Sequence, residues 1–135
     1  MIAIPAEIDT LKKPVHILHL EDSAADHELA CLVLRRAGLV HHIRQVDTLD
    51  GLVAALQELP FDIVLADYRL RGFTAIDAWA LARPLPACPP FVLLSGAIGE
   101  AAAVNAMHLG FSDYLLKDDV ARLPRVIARA IEMAE

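Results

Sequence analysis

Hydrophobic positions along the chain follow two rhythms that take turns. Short, nearly continuous apolar runs, Val15–Leu20, Ile43–Val46, Asp62–Ala66, Phe91–Leu94 and Tyr114–Leu116, have the length and side-chain content of buried strands. Between them the apolar residues recur at helical spacing. Ser23-Ala24-Ala25-Asp26 reads as a capping box opening a helix that runs to Ala37 and stops at Gly38, with Leu29, Leu32, Val33 and Arg36 as its inward stripe. A second helix, Asp50 to Leu59, carries Leu52, Ala55, Leu56 and Leu59 on one face before Pro60 ends it. Thr74-Ala75-Ile76-Asp77 is another capping box, and the short helix behind it must end before Pro84. Glu100 to Leu109 forms a fourth helix, closed by Gly110, with Ala103, Ala106 and Met107 inward. The last helix has the clearest period, with Leu123, Val126, Ile127, Ala130 and Ile131 inward and Arg122, Arg125, Arg129 and Glu132 outward.

Five strands alternating with five helices predict a single (βα)5 domain. Runs as apolar as Ile63-Val64-Leu65-Ala66 suit strands covered on both faces, and right-handed crossovers then give a doubly wound, flavodoxin-like sheet of five parallel strands. Residues 1–13 read as a short arm holding Pro5, and residues 14–135 as the domain. A chain of 135 residues, 56% hydrophobic, is long enough for one well-buried core and too short for two. The net charge of −6 argues against direct nucleic-acid binding, which needs clustered cations. Charges interrupt every apolar stretch, so no membrane span is expected, and the N-terminus lacks a signal-peptide pattern; a cytoplasmic location follows as the expectation. Cys31 and Cys88 lack C-x-x-C spacing and read as idle thiols, and the six histidines read as structural or surface residues.

The chemistry collects at the strand ends. Glu21 and Asp22 follow the first run, Asp67 the third, Ser95 the fourth and Lys117 the fifth. Parallel strands deliver their carboxyl ends to one crevice, where doubly wound proteins bind their ligands. Each residue taken alone has a plainer reading: acids favour a helix start, an aspartate opens a turn, and a lysine sits on the surface. Together they predict convergent acids facing one ammonium.

In that order and at those positions, Glu21-Asp22, Asp67, Ser95, Tyr114 and Lys117 resemble the receiver domain of two-component response regulators, over about residues 14–134. Ser95–Glu100 together with Asp113–Asp118 resembles receivers fused to sensory kinases. The resemblance implies a phosphoacceptor domain in a phosphorelay, a signalling module and not a turnover enzyme. Asp67 would accept a phosphoryl group from a phosphohistidine on a histidine kinase or histidine phosphotransfer protein, with a kinase or output domain covalently linked in some contexts. Crowded carboxylates call for a cation, and Mg²⁺ fits oxygen donors, with Asp22, Asp67 and the backbone carbonyl of Arg69 as direct ligands and Glu21 acting through water. Lys117 and Ser95 would hold phosphoryl oxygens, Tyr114 would turn inward as the switch, and Ile98, Val104, Asn105, His108 and Arg122 would lie on the readout surface.

Lys117 is followed by Asp118 where such domains usually carry proline, so a trans bond is expected, since a cis bond without proline costs about 3 kcal/mol. Arg71 stands before Gly72 where proline is frequent. Arg69 and Ala97 would flank the path of a hydrolytic water and offer it no acceptor, which predicts slow self-dephosphorylation. Rival readings fit less well. A flavin phosphate would be repelled by Glu21-Asp22, and a haloacid-dehalogenase-type phosphatase needs an acid where Arg69 stands. The remaining alternative is a pseudo-receiver that binds protein without being phosphorylated.

Overall fold

The computed structural model describes residues 13–96 and 99–134. The arm through residue 12, together with Ala97 and Ile98, lies outside the described residues. Strands β1 (Val15–Leu20), β2 (His41–Val46), β3 (Ile63–Asp67), β4 (Phe91–Ser95) and β5 (Asp113–Leu116) form one sheet, in the order β2-β1-β3-β4-β5, and every pairing is parallel. Helices α1 (Ala24–Arg36), α2 (Leu49–Glu58), α3 (Ala75–Ala82), α4 (Glu100–Leu109) and α5 (Leu123–Ala134) make the crossovers. The expected doubly wound architecture is therefore the observed one. The chain reverses its direction of winding between β1 and β3, so their carboxyl ends flank the crevice of the fold.

Pleating sorts the central strands into two cores. Ile63 and Leu65 of β3, with Val92 and Leu94 of β4, face Ala30 and Leu34 of α1 and Leu123, Val126 and Ile127 of α5. Val64, Ala66, Phe91 and Leu93 face the other way, onto Leu52 and Ala55 of α2, Ala75 and Ala78 of α3 and Ala106 of α4. Every residue of β3 and β4 is buried, which is why their sequences are apolar without alternation. The edge strand β2 instead alternates between exposed and half-buried positions.

Boundaries match the local signals. The Thr74 hydroxyl and the Asp77 carboxylate close a reciprocal capping box at the start of α3. Gly110 ends α4 in the left-handed region with φ of 118°, and a Cβ built there would lie 3.0 Å from the ring of Trp79. That indole packs edge-on against Phe91 and donates to the Leu109 carbonyl at 3.1 Å. All described peptides are trans, including the one between Lys117 and Asp118.

Three helix faces differ from expectation. On α1 the buried residues are Ala30 and Leu34, while Leu29 and Arg36 are exposed and Leu32 and Val33 are half-buried. Leu29 through Leu34 is apolar at every position, so periodicity could not choose the phase, and docking against β1 and α5 did. Leu59 caps α2 with an exposed side chain, and Met107 of α4 is exposed beside Tyr114. Two features had no prior signal. Arg69–Leu70 and Phe73–Thr74 pair as a small antiparallel ribbon around Gly72, whose φ is 86°, and Lys117–Arg122 forms a 3-10 turn ahead of α5.

Candidate functional site

Each candidate side chain is delivered by the end of a parallel strand. The Glu21 amide donates to the Val46 carbonyl at 3.0 Å, and Gln45 donates its side-chain amide to the Glu21 carbonyl at 2.8 Å, so β2 fixes the residue that follows β1. Asp67 is the last residue of β3, paired in register with Leu94 of β4. Ser95 is buried at the end of β4, opposite Leu116 of β5, and Lys117 follows immediately. Carboxylate oxygens of Glu21, Asp22 and Asp67 lie within 4.8 Å of one another. Lys117 reaches this cluster from the far edge, with its ammonium 2.8 Å from Glu21 and 3.4 Å from Asp67.

The electrostatics follow from this crowding. Burial raises the Glu21 carboxyl to about 6; the Lys117 hydrogen bond pulls it down and the Asp67 charge pushes it up again. Burial also raises Asp67, against the attraction of Lys117. Burial would lower Lys117, but its hydrogen bonds to Asp26 and Glu21 and the charges of Glu21 and Asp67 outweigh that and hold it well above its usual value. The cluster is thus short of positive charge despite the lysine. Three hard oxygen donors at this spacing fit one small divalent cation, whose oxygen ligands sit at about 2.1 Å.

The other candidates are close by, in different postures. Arg69 opens the ribbon two residues past Asp67, with its exposed guanidinium 6.0 Å from the Tyr68 ring. Tyr114 is 43% exposed and lines a cavity of about 350 Å³ with Val104, Met107 and His108, so it faces solvent and is not turned toward the crevice.

Two groups near the site were not singled out from the sequence. Asp26, on the first turn of α1, bonds the Lys117 ammonium at 2.6 Å; the sequence marked it only as the far half of a capping box with Ser23. His19 is buried in β1 behind Glu21, with its Nδ1 2.9 Å from that of His27, and burial, helped by the charges of His27 and Lys117, lowers it to about 3. Both thiols are half-buried and unlinked, and burial raises each.

A doubly wound parallel sheet carrying three acids and a lysine at its switch point defines a phosphate- or metal-handling α/β domain. The family model of the response regulator receiver domain matches residues 17–128, and the chain belongs to that family. It is 31% identical over 123 residues to the transcriptional regulatory protein FixJ of Bradyrhizobium diazoefficiens, covering 89% of this chain and 58% of that protein. The curated relatives it matches are longer, and the chain spans between 17% and 58% of their lengths. Among solved structures, a sensor protein from Polaromonas sp. JS666 superposes with a TM-score of 0.80 at 20% identity, over 91% of this chain and 100% of that one. The Mn²⁺-bound form of response regulator Rcp1 superposes with a TM-score of 0.71 at 24% identity, over 84% and 91%. Domains of this family are signalling modules of two-component systems, bind Mg²⁺ in an acidic pocket, and work with histidine kinases or phosphotransfer proteins. No helix among the described residues is long and apolar enough to cross a membrane.

Proposed function

We propose that this domain accepts a phosphoryl group on Asp67 and relays it as a conformational signal. The observation that carries the reading is the convergence of Glu21, Asp22 and Asp67 within 4.8 Å on the Lys117 ammonium, at the crevice where the fold binds ligands. In the transfer, an Asp67 carboxylate oxygen bonds to phosphorus while the phosphorus–nitrogen bond of a donor phosphohistidine breaks. The bonding pair leaves with the imidazole, which takes up a proton. Phosphoryl transfer needs mostly positioning and charge stabilisation, so the remaining residues act as holders. Lys117 takes one phosphoryl oxygen as an ammonium, the form its acidic neighbours enforce. Ser95, buried one strand over, donates its hydroxyl to another. Asp22, Asp67 and the Arg69 carbonyl would hold Mg²⁺ directly, with Glu21 through water; such a cation, when bound, would supply charge neutralisation for the transferred group.

The exposed Tyr114 supports a switch that has not been thrown. Movement of Ser95 toward the phosphoryl group would open space behind it, and an inward turn of Tyr114 would fill that space and reshape the face carrying Val104 and His108. Incubation with acetyl phosphate and Mg²⁺ tests the assignment by intact mass. The wild type should gain one phosphoryl group and Asp67→Asn none. Undiminished labelling of Asp67→Asn would move the acceptor elsewhere, and a wild type that takes no label would leave the pseudo-receiver as the better reading.

A further inference from the structure

Lys117 carries three N–H donors, and their partners are unequal. The two short contacts run to Asp26 at 2.6 Å and Glu21 at 2.8 Å, while Asp67 is 3.4 Å away. The ammonium is therefore drawn toward α1 and away from the residue it would serve. Of its three acidic partners, Asp26 alone lies outside the cluster that fits a divalent cation.

The start of α1 reveals the same diversion. Ser23 and Asp26 stand at capping-box spacing, and the Ser23 hydroxyl duly accepts from the Asp26 amide at 3.2 Å. The reciprocal bond is not made. The Asp26 carboxylate goes to Lys117, and the Ser23 amide donates to Glu21 at 3.3 Å. At Thr74 the same motif closes on both sides.

We propose that Asp26 restrains phosphoryl transfer by acting on Lys117: its carboxylate holds the Lys117 ammonium on the α1 side of the crevice until an incoming phosphoryl oxygen displaces it. The exchange extends to the cap. Once Lys117 releases it, the Asp26 carboxylate can turn to the Ser23 amide, now donating to Glu21 at 3.3 Å, and close the box. This inference rests on Asp67 being the acceptor, and it adds a partner swap that couples α1 to the phosphorylation state.

Asp26→Asn removes the charge of the clamp and keeps an acceptor for the cap. Glu28→Gln removes an equal charge from an exposed position two residues along α1. Maximal labelling rates with acetyl phosphate at saturating Mg²⁺ should rise about two- to fivefold in Asp26→Asn, the size of an ion pair with one partly exposed partner, and stay unchanged in Glu28→Gln. Equal gains in both variants would reduce the effect to general charge, and a slower Asp26→Asn would mean that Asp26 assists the transfer; either overturns the proposal. A wild type that takes no label defeats the acceptor assignment, and the proposal with it. A second readout needs no variant. The Lys117 ammonium resonance of the Mg²⁺-loaded wild type should shift on addition of beryllofluoride, with loss of its hydrogen-bond coupling to the Asp26 carboxylate. Persistence of that coupling with beryllofluoride bound also overturns the proposal.

Discussion

At the scale of single residues, neighbouring acids are not equivalent. Both oxygens of Glu21 are engaged, one by Lys117 at 2.8 Å and the other by the Ser23 amide at 3.3 Å. Asp22, half-buried one residue on, directs its carboxylate into the same cluster without such claims in the hydrogen-bonded network around Lys117. A hard cation prefers the carboxylate it can reach at the smallest cost in broken bonds. Asp22→Asn is therefore expected to weaken Mg²⁺ binding by at least about tenfold, and Glu21→Gln by much less. Calorimetric titration of the two variants checks this, and equal losses would refute the division into direct and water-mediated roles. The sequence singled out these acids as candidates but treated Asp26 only as a cap. Its bond to Lys117 joins residues 91 positions apart, a distance at which local spacing is silent.

At the scale of elements, ends were more legible than faces. Thr74, Gly38 and Gly110 act through their own backbone neighbourhood, so a motif a few residues long suffices to read them. Gly110 meets two demands at once, a φ of 118° and a Trp79 ring 3.0 Å from where a Cβ would stand. Gly110→Ala should therefore lower stability by about 1–3 kcal/mol, measured by denaturant titration. A loss below about 0.5 kcal/mol would show that the Trp79 side of α4 yields freely. Helix faces failed where hydrophobicity ran all round. On α5, arginines alternate with apolar residues and the inward stripe is as expected, whereas on α1 six consecutive apolar residues left the phase to be settled by packing. The Arg69–Thr74 ribbon is too short for any period to announce it.

At the scale of the whole molecule, burying histidines next to the lysine makes folding depend on pH. His19 falls from its usual value near 6.5 to about 3, chiefly by burial, and burial lowers His27 as well. Below pH 6.5 the unfolded chain takes up protons that the folded one refuses, so stability drops as the pH falls from 6.5 toward 3. A bound cation would depress His19 further, in the same direction. Glu21, raised to about 6, acts in the opposite sense between about pH 6 and 4.5, so the comparison must subtract it. Between pH 7.5 and 5, without divalent metal, the wild type should lose about 2 kcal/mol more than His19→Gln. Parallel stability profiles for the two proteins would contradict this. Strand count, the alternation with helices, the parallel sheet and the candidate acids with their lysine were all determined by the sequence, because burial on both faces and right-handed crossovers leave few arrangements for such a pattern. Tertiary structure alone decided which acceptor Lys117 favours, that Tyr114 faces solvent, how α1 is rotated and that His19 is sealed behind Glu21. Each of these depends on distances between segments remote in the chain, and such distances exist only once the sheet has assembled.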